Sequence, residues 1–352
     1  MLRQFIAPVL AVAALGCTAS QPVFVSPSSD DILYMGRIND ADSSALEFTY
    51  PGITAMFNFT GTSLAFAASP GSGQFMVELD SIPAYKINFT PADSVITIAD
   101  SLPDGNHSVR ITYAIEGYER HPHFRGFYLS PGAVMLPAPE RPRLRIEFIG
   151  NSITCGYGTE EDNPKKGFSY DTENHTLSYA YLTARSLDAD VNVVARSGIG
   201  MYRYFGGAKE GTDKTIPLEY DNTMLYRYDC KWDHSRFVPD IICINLGTND
   251  TSLGNYDIKR FEAAYSDFVK RLRNLHPDAK IVLLTGSMMS GKPLADVKGV
   301  LDRIAATDGH VYRFDMTPQD GSLGYGADYH PSRRQAQKMA TELTGYLRTL
   351  VD

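Results

Sequence analysis

Tryptophan occurs once in the 352 residues, at Trp232, and cysteine only four times. The cysteines stand at positions 17, 155, 230 and 243 with no C-x-x-C spacing, which argues against a disulfide framework or a zinc site. No cluster with metal-ligand spacing is present, so neither a metal nor another cofactor is expected. Concentrated Lys/Arg runs are missing as well, and the net charge of -8 argues against nucleic acid as a partner.

The apolar stretch from Phe5 to Leu15 is too short to span a bilayer comfortably. Preceded by Arg3, it reads as a targeting segment, and residues 1–20 are taken as a signal peptide. Ala14-Leu-Gly16-Cys17 resembles a bacterial lipobox, with Ala14 where leucine is usual. Cys17 is then a candidate lipid anchor, and ordinary cleavage near Ala19 is the alternative. Either way the expectation is an exported bacterial protein, periplasmic or an outer-membrane or cell-surface lipoprotein. Asn-x-Ser/Thr matches at Asn58, Asn88, Asn106, Asn174 and Asn249 are read as unglycosylated.

What is present is ordinary globular composition, 43% hydrophobic and 21% charged, in a chain long enough for two domains. After a Ser/Pro-rich tether at 26–30, residues 31–136 carry short alternating runs at 46–50, 54–59, 63–66, 74–79, 94–98 and 107–113. Turns such as Pro51-Gly52 and Pro70-Gly71 separate them, and the spacing predicts a β-sandwich, jelly-roll-like in form. Residues 137–143 form a proline-stiffened linker. The polar segment 119–125, just before it, is expected to contribute to a cleft rim.

From residue 144 to 352 the texture changes. Apolar strand candidates at 144–149, 191–194, 240–246, 280–285 and 311–314 alternate with helical patterns at 178–187, 258–275 and 333–350. This half is α/β with a mostly parallel sheet, and in such sheets the site lies at the carboxyl ends of the strands. Ser152, Gly198 and Asn249 each follow a strand directly and so fall on one edge. A serine on a tight strand-to-helix turn presents its hydroxyl forward and its own N–H toward a developing oxyanion. Gly198 can bring a backbone N–H close to a substrate, and an Asn249 amide can donate to an oxyanion. His330 suits a general base, with Asp328 beside it.

These blocks, Gly150-Asn-Ser152, Ser197-Gly198-Ile-Gly200, Gly247-Thr-Asn249-Asp250 and Asp328-Tyr-His330-Pro331, resemble the SGNH hydrolase superfamily. Asn151 stands where aspartate is usual. A sandwich ahead of such a domain, with Gly-Asn-Ser-Ile-Thr-Cys-Gly-Tyr-Gly158 and Asp-Tyr-His-Pro-Ser332, is similar to carbohydrate esterase family 2. Gly36-Arg37, Gly61-Thr-Ser-Leu64 and Gly200-Met-Tyr-Arg203 support the same resemblance.

The resemblance implies a metal-free serine esterase of the acetyl xylan esterase type. Its partner would be an acetylated hemicellulose, xylan or glucomannan, in polymer or oligosaccharide form. Ser152 would be the nucleophile and His330 the base, with Ser152, Gly198 and Asn249 forming the oxyanion hole. In the superfamily the orienting acid usually stands three residues before the histidine, where this chain has Ala327. Asp328 is the expected orienting group, placed on the same face as His330 by an extended segment, with the Tyr329 carbonyl as competitor. Trp232, Tyr157, Tyr202 and Tyr204 are candidates for stacking on a sugar ring, against core packing as the plainer role. Two other readings remain at this point: an esterase or lipase for another acyl ester, and an inert carbohydrate-binding protein.

Overall fold

The computed structural model of the protein describes residues 21–351. The leader and the possible anchor at Cys17 lie outside the described residues. Two antiparallel sheets pack face to face in the N-terminal part. One runs Val23–Val25, His123–Leu129, Leu64–Ala68, Val95–Ala99, with Leu46–Glu47 also beside His123–Leu129. The other runs Met135–Leu136, Thr54–Gly61, Gly105–Tyr113, Gly73–Leu79, Ile82–Phe89, with Leu33–Met35 also beside Thr54–Gly61. Alternation drives the packing: in Thr54–Gly61, Phe57 and Phe59 point inward and are fully buried. Phe48, Phe66, Phe75, Phe89, Phe124 and Phe127 fill the space between the sheets, mostly in tilted or edge-to-face pairs.

Two long sandwich strands were not legible in the sequence, nor were the short ones Val23–Val25, Leu33–Met35 and Met135–Leu136. Ile82–Phe89 contains Pro83, which a central strand would not tolerate, and it is the end strand of its sheet. His123–Leu129 begins inside the polar segment assigned to a cleft rim, and its inward residues are Phe124, Phe127 and Leu129. The Glu119 carboxylate instead accepts from the Tyr170 hydroxyl at 2.9 Å, and Arg120 stacks over the same ring.

The second part is a five-stranded parallel sheet in the order Asp190–Ala195, Arg145–Gly150, Ile241–Asn245, Lys280–Thr285, Val311–Asp315. The Ile241–Asn245 strand is central and buried on both faces, which explains its unbroken apolar run. Helices Tyr179–Ser186, Ile258–Leu275, Gly291–Ala305 and Arg333–Val351 cover the sheet. Ile258–Leu275 buries Phe261, Tyr265, Phe268 and Leu272, the expected stripe. Gly291–Ala305 was missed because Gly291, Pro293 and Gly299 interrupt it, although Val297, Val300, Leu301 and Ile304 mark its buried face.

A buried ion pair joins the two parts. Arg37, from the sandwich, donates to Glu147 on the parallel sheet at 3.1 Å, and neither side chain is more than 2% exposed. Glu147 also accepts from Asn192 at 2.8 Å and from the Tyr220 hydroxyl at 2.6 Å. The linker is anchored too, through Arg141 to Asp190 at 2.7 Å.

Candidate active site

The strand Arg145–Gly150 delivers the chain to a one-turn helix, Ser152–Cys155. The Asn151 side chain caps it by accepting from the Ile153 N–H at 3.1 Å. Here asparagine serves as a helix cap, so its replacement of aspartate leaves the turn intact. Gly150 is required by close approach, since a Cβ there would lie 2.0 Å from Thr154 Oγ1. Ser152 thereby sits at the carboxyl edge of the sheet, beside a cavity of about 530 Å³.

His330 reaches that edge from the loop before the last helix. Its Nε2 lies 2.8 Å from Ser152 Oγ, within hydrogen-bond reach. Its Nδ1 faces the carbonyl oxygen of Ala327 at 3.0 Å, which fixes Nδ1–H and leaves Nε2 as the acceptor. Tyr157 stacks on one face of the ring with centroids 4.0 Å apart. Burial pushes the His330 imidazole down to about 4, partly opposed by the hydrogen bond to the Ala327 carbonyl.

The expected pairing of Asp328 with His330 is not formed. Asp328 and Tyr329 both lie in the left-handed region, with φ of +48° and +59°. An extended segment would have put residues 328 and 330 on one face; this turn swings the carboxylate away, and it accepts instead from the Tyr157 hydroxyl. Nor does the Tyr329 carbonyl serve: His330 Nδ1 faces Ala327, and the Tyr329 carbonyl accepts from Gln319 Nε2 at 2.7 Å. The role falls to Ala327, which stands where the superfamily usually has an acid. A backbone carbonyl leaves no trace in the side-chain pattern, so sequence reasoning had no signal for it.

The oxyanion-hole candidates converge on the same cavity, whose walls include Ser152, Gly198 and Asn249. Gly198 follows the strand Asp190–Ala195 with φ of +79°, a conformation that favours glycine. Asn249 is buried, and its Nδ2 donates one hydrogen to the Ile199 carbonyl at 2.7 Å, which leaves the second available. The next residue, Asp250, accepts from the N–H groups of Met201 and Tyr202, each at 2.8 Å, and so ties the glycine turn to the asparagine turn. Burial raises its carboxyl to about 6 despite those backbone donors.

The aromatic candidates separate. Tyr157 lines the cavity, but one face is taken by His330. Trp232 does not line it: the indole is buried at the junction of the two parts between Arg37 and Arg236, whose guanidinium carbons lie 5.2 and 5.0 Å from the ring centre. Tyr202 is buried too, its hydroxyl accepting from the Asp257 N–H at 2.9 Å. Both are corrected to structural roles. The exposed apolar groups on the cavity wall are Phe205 and Tyr329, with Met288 half-buried beside them. Phe205 adjoins the Tyr202 and Tyr204 candidates in sequence and was overlooked among them.

Among the described residues, one group has metal-ligating atoms close together: Glu116, Cys155 and Glu173, within 4.8 Å of one another. Burial pushes the Cys155 thiol and the Glu173 carboxyl well up, toward neutral forms that bind metal poorly.

Residues 34–139 match the family described as Carbohydrate esterase 2 N-terminal, and residues 148–338 match the GDSL-like Lipase/Acylhydrolase family. An Acetylxylan esterase / glucomannan deacetylase of Cellvibrio japonicus is 30% identical over 93% of this chain and 91% of its own length. Cellulase/esterase CelE of Acetivibrio thermocellus is 34% identical over 92% of this chain, which spans 40% of that relative's length. A solved family two carbohydrate esterase from Clostridium thermocellum, in complex with cellohexaose, is 33% identical with a TM-score of 0.85, covering 91% of this chain and 99% of that one.

Proposed function

This chain belongs to the family 2 carbohydrate esterases with a GDSL-type hydrolase domain, and from that premise we propose that it removes O-acetyl groups from plant cell-wall polysaccharides, acetylated xylan or glucomannan. The observation that carries the reading is the 2.8 Å contact between Ser152 Oγ and His330 Nε2 in a cavity that also receives Gly198 and Asn249.

His330 Nε2 takes the Ser152 proton as Oγ attacks the acetyl carbonyl. The Ser152 N–H, Gly198 N–H and Asn249 amide then donate to the oxyanion, each worth roughly 3 to 4 kcal/mol of barrier. The tetrahedral species collapses, His330 returns the proton to the departing sugar oxygen, and an acetyl-serine remains. Water, deprotonated by His330, hydrolyses that ester and frees acetate. With only a carbonyl behind Nδ1, the imidazolium formed in each step has no paired carboxylate, and Ser152 and His330 work as a dyad. No step calls on a metal, and EDTA should leave activity unchanged. The leader at 1–20 supports export, with Cys17 as the proposed anchor.

Acetate release from a panel of acetylated xylans and glucomannans, by wild type and Ser152→Ala, tests the proposal. Release by wild type alone is expected. Preference for long-chain nitrophenyl esters would point to a lipase-like enzyme, and binding of the polymers without acetate release to a carbohydrate-binding protein.

A further inference from the structure

The turn that carries Gly198 is held from both sides, and one of the holding groups comes from the sandwich. Glu116 lies just beyond the strand Gly105–Tyr113, where the chain leaves the second sheet. Its carboxyl is buried, and Oε1 accepts from the Ser197 N–H at 2.7 Å. Two residues on, the Tyr118 hydroxyl accepts from the Arg196 guanidinium at 3.2 Å, and Arg196 packs between the rings of Tyr118 and Tyr226. On the far side, Asn249 holds the Ile199 carbonyl and the Phe205 N–H donates to the Gly198 carbonyl, both at 2.7 Å. Glu116 thus fixes the Arg196–Ser197 peptide, one removed from the Gly198 N–H, and Phe205 fixes the peptide that follows Gly198.

Glu116 is itself held. Its backbone N–H donates to Glu173 Oε2 at 3.1 Å, while Glu173 Oε1 is buried with no partner. Glu116 and Glu173 bring a carboxyl oxygen each to within 4.8 Å of one another. Burial, with Glu116 next, drives the Glu173 carboxyl well up.

We propose that Glu116 is a positioning residue for the oxyanion hole, through which the β-sandwich fixes the Ser197–Gly198 turn of the other domain. The inference rests on the serine-esterase reading, because it assigns Gly198 a donor role. The sandwich is then part of the catalytic apparatus for small esters as well as polymers. Glu116 touches no reacting atom; it acts on the direction of the Gly198 N–H.

The test uses the full chain with Glu116→Ala, Glu116→Met and Glu116→Gln, assayed on 4-nitrophenyl acetate. Loss of one oxyanion donor lowers kcat by about 10² to 10³, and misaiming it should lower kcat by roughly 30- to 300-fold in the Ala and Met variants. KM should stay within about threefold, since the ground-state ester makes little use of the hole. Glutamine keeps an acceptor for the Ser197 N–H and should restore kcat to within about fivefold of wild type. Affinity for an alkylboronic acid, which forms a tetrahedral adduct on Ser152, should fall in parallel with kcat. A folded Ala or Met variant with kcat within threefold of wild type would overturn the proposal, as would a change in KM alone. If neither folds, Glu116 is a folding residue and the proposal is equally overturned. Wild type and Ser152→Ala run alongside: an inactive wild type sinks the esterase reading itself, whereas an active wild type with an indifferent Glu116 sinks only this inference.

Discussion

The carbonyl oxygen of Ala327 accepts twice from His330, from its backbone N–H at 2.9 Å and from its ring Nδ1–H at 3.0 Å. One backbone atom thus sets both the main chain and the imidazole of the proposed general base. Asp328, next in sequence, is turned away onto Tyr157.

Removing the Asp328 charge should therefore matter little. Asp328→Asn, which tolerates the left-handed backbone at this position, should lower kcat by less than about fivefold, against the ~10⁴ seen when a true triad acid is replaced. Steady-state kinetics on a small acetyl ester check this. A loss of a hundredfold or more with an intact fold would return the orienting role to the carboxylate.

The pH profile should be displaced to the acid side. Catalysis needs neutral His330, and burial lowers its folded value to about 4 from 6.5. The acid limb of kcat/KM, which reports the free enzyme, should fall near pH 4, with a plateau above about pH 5. The same shift has a stability sign. Between 6.5 and about 4 the unfolded chain binds the proton and the native ring does not, so this group's contribution is lost as pH falls through that window. An acid limb near 6.5 would contradict the buried, carboxylate-free setting.

Asn249→Ala removes a proposed oxyanion donor together with the contact to Ile199. We expect kcat to drop by about 10² to 10³ with KM changed far less. Comparable damage to KM would instead assign Asn249 to ground-state binding.

The junction of the two parts should be costly to break. Arg37→Met leaves Glu147 buried without its cation, a situation that typically costs about 3 to 5 kcal/mol. A matching fall in Tm, measured by calorimetry, is the expected result. Deleting residues 21–136 removes Arg37 and Glu116 together, and should abolish activity on polymer and small ester alike. A truncated protein that stays folded and cleaves small esters normally would refute this coupling.

The sequence by itself determined most of the longer elements and brought Ser152 and His330 forward as a candidate pair. Alternation at 54–59 and the apolar run at 241–245 declare a half-buried and a doubly buried strand through side-chain period alone. Ser152, Gly198 and Asn249 could be placed on one edge because parallel strands all present their carboxyl ends together. His330 followed from its place in an ordered set of motifs. What only tertiary structure decided were contacts made by backbone atoms and by residues distant in sequence. Ala327 acts through a carbonyl that every residue possesses, and the φ of +48° that turns Asp328 outward is set by the loop around it. Trp232, a stacking candidate whose plainer role was core packing, is covered by Arg37, 195 positions earlier. Glu116 carried no motif at all, because its meaning lies in reaching across a domain boundary to the N–H of Ser197. Side-chain period and motif order are local or linear properties and can be read along a chain, whereas these contacts depend on which surfaces meet after folding.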